Sequence, residues 1–174
     1  FSPIALARAG LIDGTLAFGT PASAAATLIV QEEGTDCSGK GGFPNCWATQ
    51  DGTAQGPVTD PLGSPAVFKW NANPDGSNGG TESSPVFPTI DGSEFTLQLV
   101  GFVLSFTYTA GAGDPELHYF SVKQSDEYAL FYDAAAITSG SVDLAVLFPN
   151  NVGWSHITWF DTGNQVPEPA TWAM

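Results

Sequence analysis

The sequence predicts an all-β chain: a single antiparallel β-sandwich, jelly-roll-like domain. Three observations predict it. Several short segments alternate apolar and polar residues with period two, the pattern of a half-buried strand. Gly, Pro, Asn and Asp turns punctuate them at close spacing, with 20 Gly and 13 Pro in 174 residues, and no segment carries a convincing 3.6-residue period. Aromatic residues make up 12% of the chain, enough apolar bulk to build a core.

Taken in order, Thr27-Leu28-Ile29-Val30-Gln31 reads as the first strand; the stapled loop follows, then Trp47-Ala48-Thr49. Residues 51–65 are turn-rich, with Asp51-Gly52, Gly56-Pro57 and Asp60-Pro61. Ala66 to Trp70 is a short strand, followed by a polar loop from Asn71 to Ser84. The clearest signal is the pair Glu94–Val100 and Phe102–Thr109, whose alternation is broken only at Gly101. That spacing predicts a tight hairpin or bulge, and we expect it at the centre of the sheet. Leu117–Gln124 and Tyr128–Asp133 form the next strand pair. Residues 134–140 could hold one helical turn, and Asp143–Phe148 and Trp154–Asp161 complete the strands.

The two ends of the chain read differently from this middle. Residues 1–26 carry Arg8, the apolar Leu16-Ala17-Phe18 and an Ala-rich run that offers small residues at −3 and −1 of a cleavage site. They are expected to be an export leader, degenerate or cut. Residues 27–163 would be the sandwich domain. At the other end, Pro167-Glu168-Pro169 is a stiff, extended tripeptide, because each proline fixes its own φ and biases the residue before it.

The whole string Val166-Pro167-Glu168-Pro169-Ala170-Thr171-Trp172-Ala173-Met174 resembles the PEP-CTERM sorting signal of exported proteins in Gram-negative, exopolysaccharide-producing bacteria. The resemblance implies that residues 164–174 are the sorting motif, with Val166, Pro167, Glu168, Pro169 and Trp172 as its recognisable positions. It implies processing by exosortase, a membrane-embedded cysteine transpeptidase, and a membrane-spanning helix with an Arg-rich cluster after the motif. A span needs roughly 20 apolar residues. The sequence stops at Met174, so the expectation is that an anchor follows it and that membrane contact is through that anchor alone. Segments around Tyr119–Gln124, Tyr128–Asp133 and Trp154–Phe160 also resemble the β-sandwich passenger domains of such proteins.

Charge narrows the partners. The net charge is −14, from 4 Lys plus Arg against 18 Asp plus Glu. Such a surface repels phosphate backbones and anionic lipid, which argues against nucleic acid as a partner. In an exported chain the pair Cys37 and Cys46 is expected as a disulfide, since the segment between them is Gly-rich and cannot fold alone.

One motif has metal-ligand spacing. From Asn71 to Glu82, oxygen ligands fall at positions 1, 3 and 5, Gly at 6 and Glu at 12, as in an EF-hand calcium loop. Asn71, Asn73, Asp75 and Glu82 would donate side-chain oxygens and Ser77 its carbonyl. The other reading is a solvated Asn/Gly/Asp loop between strands. His118 and His156 lie in strands and are expected in or near the core; a paired-histidine site using Asp133 or Asp161 is the alternative. Trp47, Trp70, Trp154 and Trp159 read as core, or else as a sugar-stacking platform.

These readings rank three functions. The first is a non-catalytic exported surface or matrix protein, placed among exopolysaccharide through its tail. The alternative is a lectin-like carbohydrate-binding module, calcium-dependent if the Asn71–Glu82 loop binds. The third is a jelly-roll enzyme acting on glycosides.

Overall fold

The computed structural model describes residues 26–39, 42–60 and 62–161. The expected export leader up to residue 25 and the expected sorting-motif positions Val166, Pro167, Glu168, Pro169 and Trp172 lie outside the described residues.

Eleven strands follow in order: β1 (Thr27–Glu33), β2 (Cys46–Thr49), β3 (Gly52–Gln55), β4 (Ser64–Ala72), β5 (Asn78–Ser83), β6 (Phe95–Val100), β7 (Val103–Tyr108), β8 (Tyr119–Gln124), β9 (Glu127–Tyr132), β10 (Ser139–Asp143) and β11 (His156–Phe160). An eight-stranded sheet runs β1-β9-β8-β11-β4-β2-β3, with β5 added on β4. A three-stranded sheet, β10-β7-β6, packs over it. The pairings are all antiparallel, so the all-β sandwich the sequence predicts is the fold observed.

The sandwich holds because β4, β8, β9 and β11 turn large residues toward the smaller sheet. Phe68, Trp159, Phe120 and Phe131 lie side by side across four strands in register. Phe95 of β6 stacks on Phe68 with ring centroids 4.6 Å apart and meets Trp159 at 4.5 Å. Phe106 of β7 sits edge-on to Phe120 at 5.0 Å. Aromatic pairs of this geometry add attraction beyond the area they bury.

The Gly101 hairpin is present. Val100 pairs with Val103, leaving the two-residue loop Gly101-Phe102, and Gly101 has φ +60°, a region glycine reaches freely. Its place differs from expectation. It belongs to the smaller sheet, with β6 at the edge, and Leu99, Val100 and Phe102 at its tip are exposed. The centre is β8, β11 and β4 instead, because these strands are buried on both faces.

Four local expectations are corrected. The turn-rich residues after 51 contain β3, and the polar loop after Asn71 contains β5. Both are edge additions whose ladder partners, rather than apolar patterning, make them strands. Residues 134–138 hold no helical turn. The expected strand Asp143–Phe148 is instead the end of β10 followed by one helical turn, α1 (Leu144–Leu147). Asp143 caps that turn, its side chain accepting from the Ala145 N–H at 2.9 Å.

Phe120 is buried at the contact between the sheets. Phe120→Ala should cost about 3–5 kcal/mol in denaturant-induced unfolding. Exposed Phe102→Ala should change stability by less than about 1 kcal/mol. Equal costs at the two positions would contradict the packing described.

Candidate functional site

The outer face of the large sheet, away from the three-stranded sheet, is also covered. Residues Asp36–Gly39 and Gly42–Cys46 fold over it with two short 3-10 turns, Cys37–Gly39 and Phe43–Asn45. The disulfide Cys37–Cys46 closes this segment. Its sulfurs and Phe43 pack with Tyr119, Tyr128, Leu130 and Phe160 in a second apolar cluster. Closing a ten-residue loop contributes about 2–3 kcal/mol in the chain-entropy account.

Beside that cluster the same face turns polar. Strand alternation sends Lys69, Thr158, Ser121, His156 and Lys123 to the side opposite Phe68, Trp159 and Phe120, and all five are buried. Asp36, 0% exposed, enters this patch from the stapled segment. Its Oδ1 accepts from His156 Nε2 at 2.7 Å and from Ser38 Oγ at 2.9 Å, and its Oδ2 accepts from Ser121 Oγ at 2.6 Å. Ser38 Oγ also meets Thr158 Oγ1 at 2.9 Å. Lys69 Nζ donates to the Ser38 carbonyl at 2.8 Å and pairs with Glu82 Oε1 at 3.0 Å. Lys123 Nζ donates to the Ser125 carbonyl.

Burial alone pushes the Asp36 carboxyl up. The hydrogen bond and charge of His156, with the hydroxyls of Ser121 and Ser38, outweigh burial and hold it below the ordinary carboxylate value. Burial lowers the Lys123 ammonium, with Asp36, Asp126 and Glu127 opposing.

Ser38, His156 and Asp36 together invite comparison with a nucleophilic triad. The geometry differs in one respect that decides the chemistry. Both Ser38 Oγ, at 3.0 Å, and Asp36 Oδ1 face the same imidazole nitrogen, Nε2. An ionised carboxylate accepts only, so Nε2 carries the proton. Ser38 therefore faces an N–H rather than a base, while its own proton goes to Asp36. A triad needs the base between nucleophile and carboxylate, one nitrogen for each. This cluster is a clasp that fastens the stapled segment to the sheet.

The two histidines do not meet. His156 pairs with Lys123 at one end of the β8–β11 ladder, while the His118 N–H bonds Phe160 at the other. His118 Nδ1 contacts the Asp133 carbonyl at 2.8 Å and Nε2 lies 3.6 Å from Glu116. Trp154 and Trp159 are buried, and Trp47 and Trp70 are half-buried, so the four indoles form no exposed platform.

The Asn71–Glu82 stretch is a β-hairpin. Asn73, Asp75 and Ser77 gather at its turn. Asp75 Oδ1 accepts from Ser77 N at 2.9 Å and Ser77 Oγ at 2.6 Å, and Asn73 Nδ2 donates to Ser77 Oγ at 2.9 Å. The Ser77 side chain and N–H hold the Asp75 carboxyl below its ordinary value. Glu82 lies down the strand, opposite Lys69, and its Oε1 accepts from Lys69 Nζ and from Asn71 Nδ2 at 3.4 Å.

A cleft of about 510 Å³ opens beside this turn, lined by residues 72–76, Gln124 and residues 152–155. Among its described lining residues Asp75 is the one carboxylate, whereas glycoside hydrolysis ordinarily uses two.

The fold and its fittings define a disulfide-stapled antiparallel β-sandwich with a buried Asp36–His156 clasp. Comparison with protein-family models, with curated proteins and with solved structures returned no match.

Because the folded-state pKa of Asp36 lies below its unfolded value near 3.8, its stabilising contribution is complete above that value. It is lost as pH falls through the folded pKa. Asp36→Asn should be less stable at neutral pH by about 1–3 kcal/mol and should show a shallower loss of stability below pH ~4. Denaturant unfolding of both proteins between neutral and acid pH checks this. Parallel pH curves would remove Asp36 from the account.

Proposed function

We propose that this chain is an exported, non-catalytic cell-surface or matrix protein of a Gram-negative bacterium, delivered through its Val166–Trp172 motif. On this reading an exosortase-type enzyme processes the tail and exopolysaccharide surrounds the displayed sandwich. The observation that carries the reading is the Cys37–Cys46 disulfide. Bonds of this kind persist in oxidising compartments and are rare in the reducing cytosol. Here it closes the segment that packs on the outer face of the large sheet against Tyr119, Tyr128, Leu130 and Phe160. The charge of −14 suits a soluble display domain that repels its neighbours.

Replacing Pro167-Glu168-Pro169 by three alanines should leave unprocessed precursor in the membrane of the native host. Thiol titration of the exported protein should find Cys37 and Cys46 oxidised. Normal processing of the triple variant would overturn the sorting assignment.

Calcium at the β4–β5 turn is a second reading, favoured by the convergence of Asn73, Asp75 and Ser77 at one exposed tip. Calcium at about thirty times its Kd would stabilise the fold by about 2 kcal/mol, read as a higher melting temperature than in chelator. Asp75→Asn should remove the shift and Glu82→Gln should leave it, since Glu82 is engaged by Lys69. Equal melting in calcium and chelator would end this reading.

A further inference from the structure

We infer that the cleft between the β4–β5 turn and the segment before β11 is a binding site for a neutral, polyhydroxylated ligand, one or two sugar rings in size. The inference stands on the cleft itself and does not rest on the export reading.

The walls are fixed before any ligand arrives. Trp154 Nε1 donates across the cleft to the Gly76 carbonyl at 3.1 Å. The Ala72 N–H donates to the Ser155 carbonyl at 2.9 Å, and the Ser155 N–H to Lys123 at 2.6 Å. Such bridges join the hairpin turn, the β8 end and the Val152–Ser155 segment, so little ordering remains to oppose binding.

The polar tips around the space are of mixed kind. Asn73 spends its Nδ2 on Ser77 Oγ and on the Asn78 carbonyl at 2.8 Å, which turns its Oδ1 to acceptor duty. Asp75 uses Oδ1 for Ser77 and keeps Oδ2 as a second acceptor. Gln124 accepts from Ser155 Oγ through Oε1 at 3.3 Å, which leaves Nε2 to donate. A Cβ at Gly153 would lie 2.9 Å from Gln124 Nε2, and Gly153 has φ +156°. Glycine at 153 is therefore what lets the Gln124 amide lie where it does.

Acceptors on the turn wall and a donor on the β8 wall suit a ligand whose neighbouring groups both donate and accept, as vicinal hydroxyls do. Exposed Val152 offers an apolar surface for ring C–H groups. None of the described lining residues is Lys or Arg. Asp75 and the net charge of −14 therefore turn away anionic ligands. The volume falls within the ordinary range for small-ligand sites. A ligand of a dozen or so heavy atoms in an open polar cleft binds weakly, with Kd on the order of 1 mM.

The test is a nitrogen–proton NMR titration of the full 174-residue chain in chelator. The probes are maltose, cellobiose, lactose and mannobiose, with glucuronate and glycerol as controls. Saturable shifts of the Gln124 and Asn73 side-chain amides and the Trp154 indole N–H are expected with at least one disaccharide and with neither control. Gln124→Ala should raise Kd at least tenfold. Gln124→Glu, which keeps the shape and adds a carboxylate, should abolish the donor and do the same. Both variants should melt as the wild type does, which separates lost binding from lost folding. Absence of saturable shifts with all four disaccharides would overturn the inference. Equal response to glucuronate would overturn its neutral-ligand part, and unchanged affinity in Gln124→Glu would remove Gln124.

Discussion

A carboxylate with no access to water must be matched where it lies, and the outer half of this molecule is arranged around that requirement. Asp36 is held by one imidazole and two hydroxyls from three parts of the chain, His156 on β11, Ser121 on β8 and Ser38 beside it. Removing any one leaves a charge short of partners in a medium that solvates it poorly. The disulfide next door limits how far Asp36 can move when the contacts loosen. Staple and charge cluster are thus complementary: one restricts the open segment, the other rewards the closed one.

That arrangement explains why the large sheet is not amphipathic in the usual way. β8 and β11 are buried on both faces, one against aromatic rings and one against the stapled segment. Residues such as Lys123, Thr158 and His156 would ordinarily mark a solvated face. Here they are buried polar groups with assigned partners, and Lys69 reaches past the clasp to Glu82 on the neighbouring strand. A sheet covered this way tolerates polar residues where the covering loop, a neighbouring turn or an adjacent strand supplies the answering group, as Asp36, Ser125 and Glu82 do here.

What could be read from the sequence follows from the same physics. The β6–β7 hairpin was legible because one face is wet and the other dry, which prints a period of two. β3 and β5 were not, since Gly52-Thr53-Ala54-Gln55 and Asn78-Gly79-Gly80-Thr81-Glu82-Ser83 carry no apolar face and become strands only by pairing at an edge. Leu144-Ala145-Val146-Leu147 is a continuous apolar run, and such runs do not distinguish strand from helix. The Asp143 cap was the usable clue. The disulfide was legible, whereas the clasp was not: Asp36 meets Ser121 and His156 across 85 and 120 residues. The available signal was Ser121, Lys123, His156 and Thr158 alternating with Phe120, Val122, Ile157 and Trp159, polar positions in strands too apolar to lie at a surface.

The position of β11 has a mechanical consequence. It lies between β4 and β8, antiparallel to both, with five residues registered on each side. A pull on the chain just beyond Phe160 drags β11 along its own axis and loads both ladders in shear, so that many hydrogen bonds resist together instead of unzipping one by one. β1, at the sheet margin, has a single ladder to share the load. The domain is thus stiffer to tension entering through its last strand than through its first.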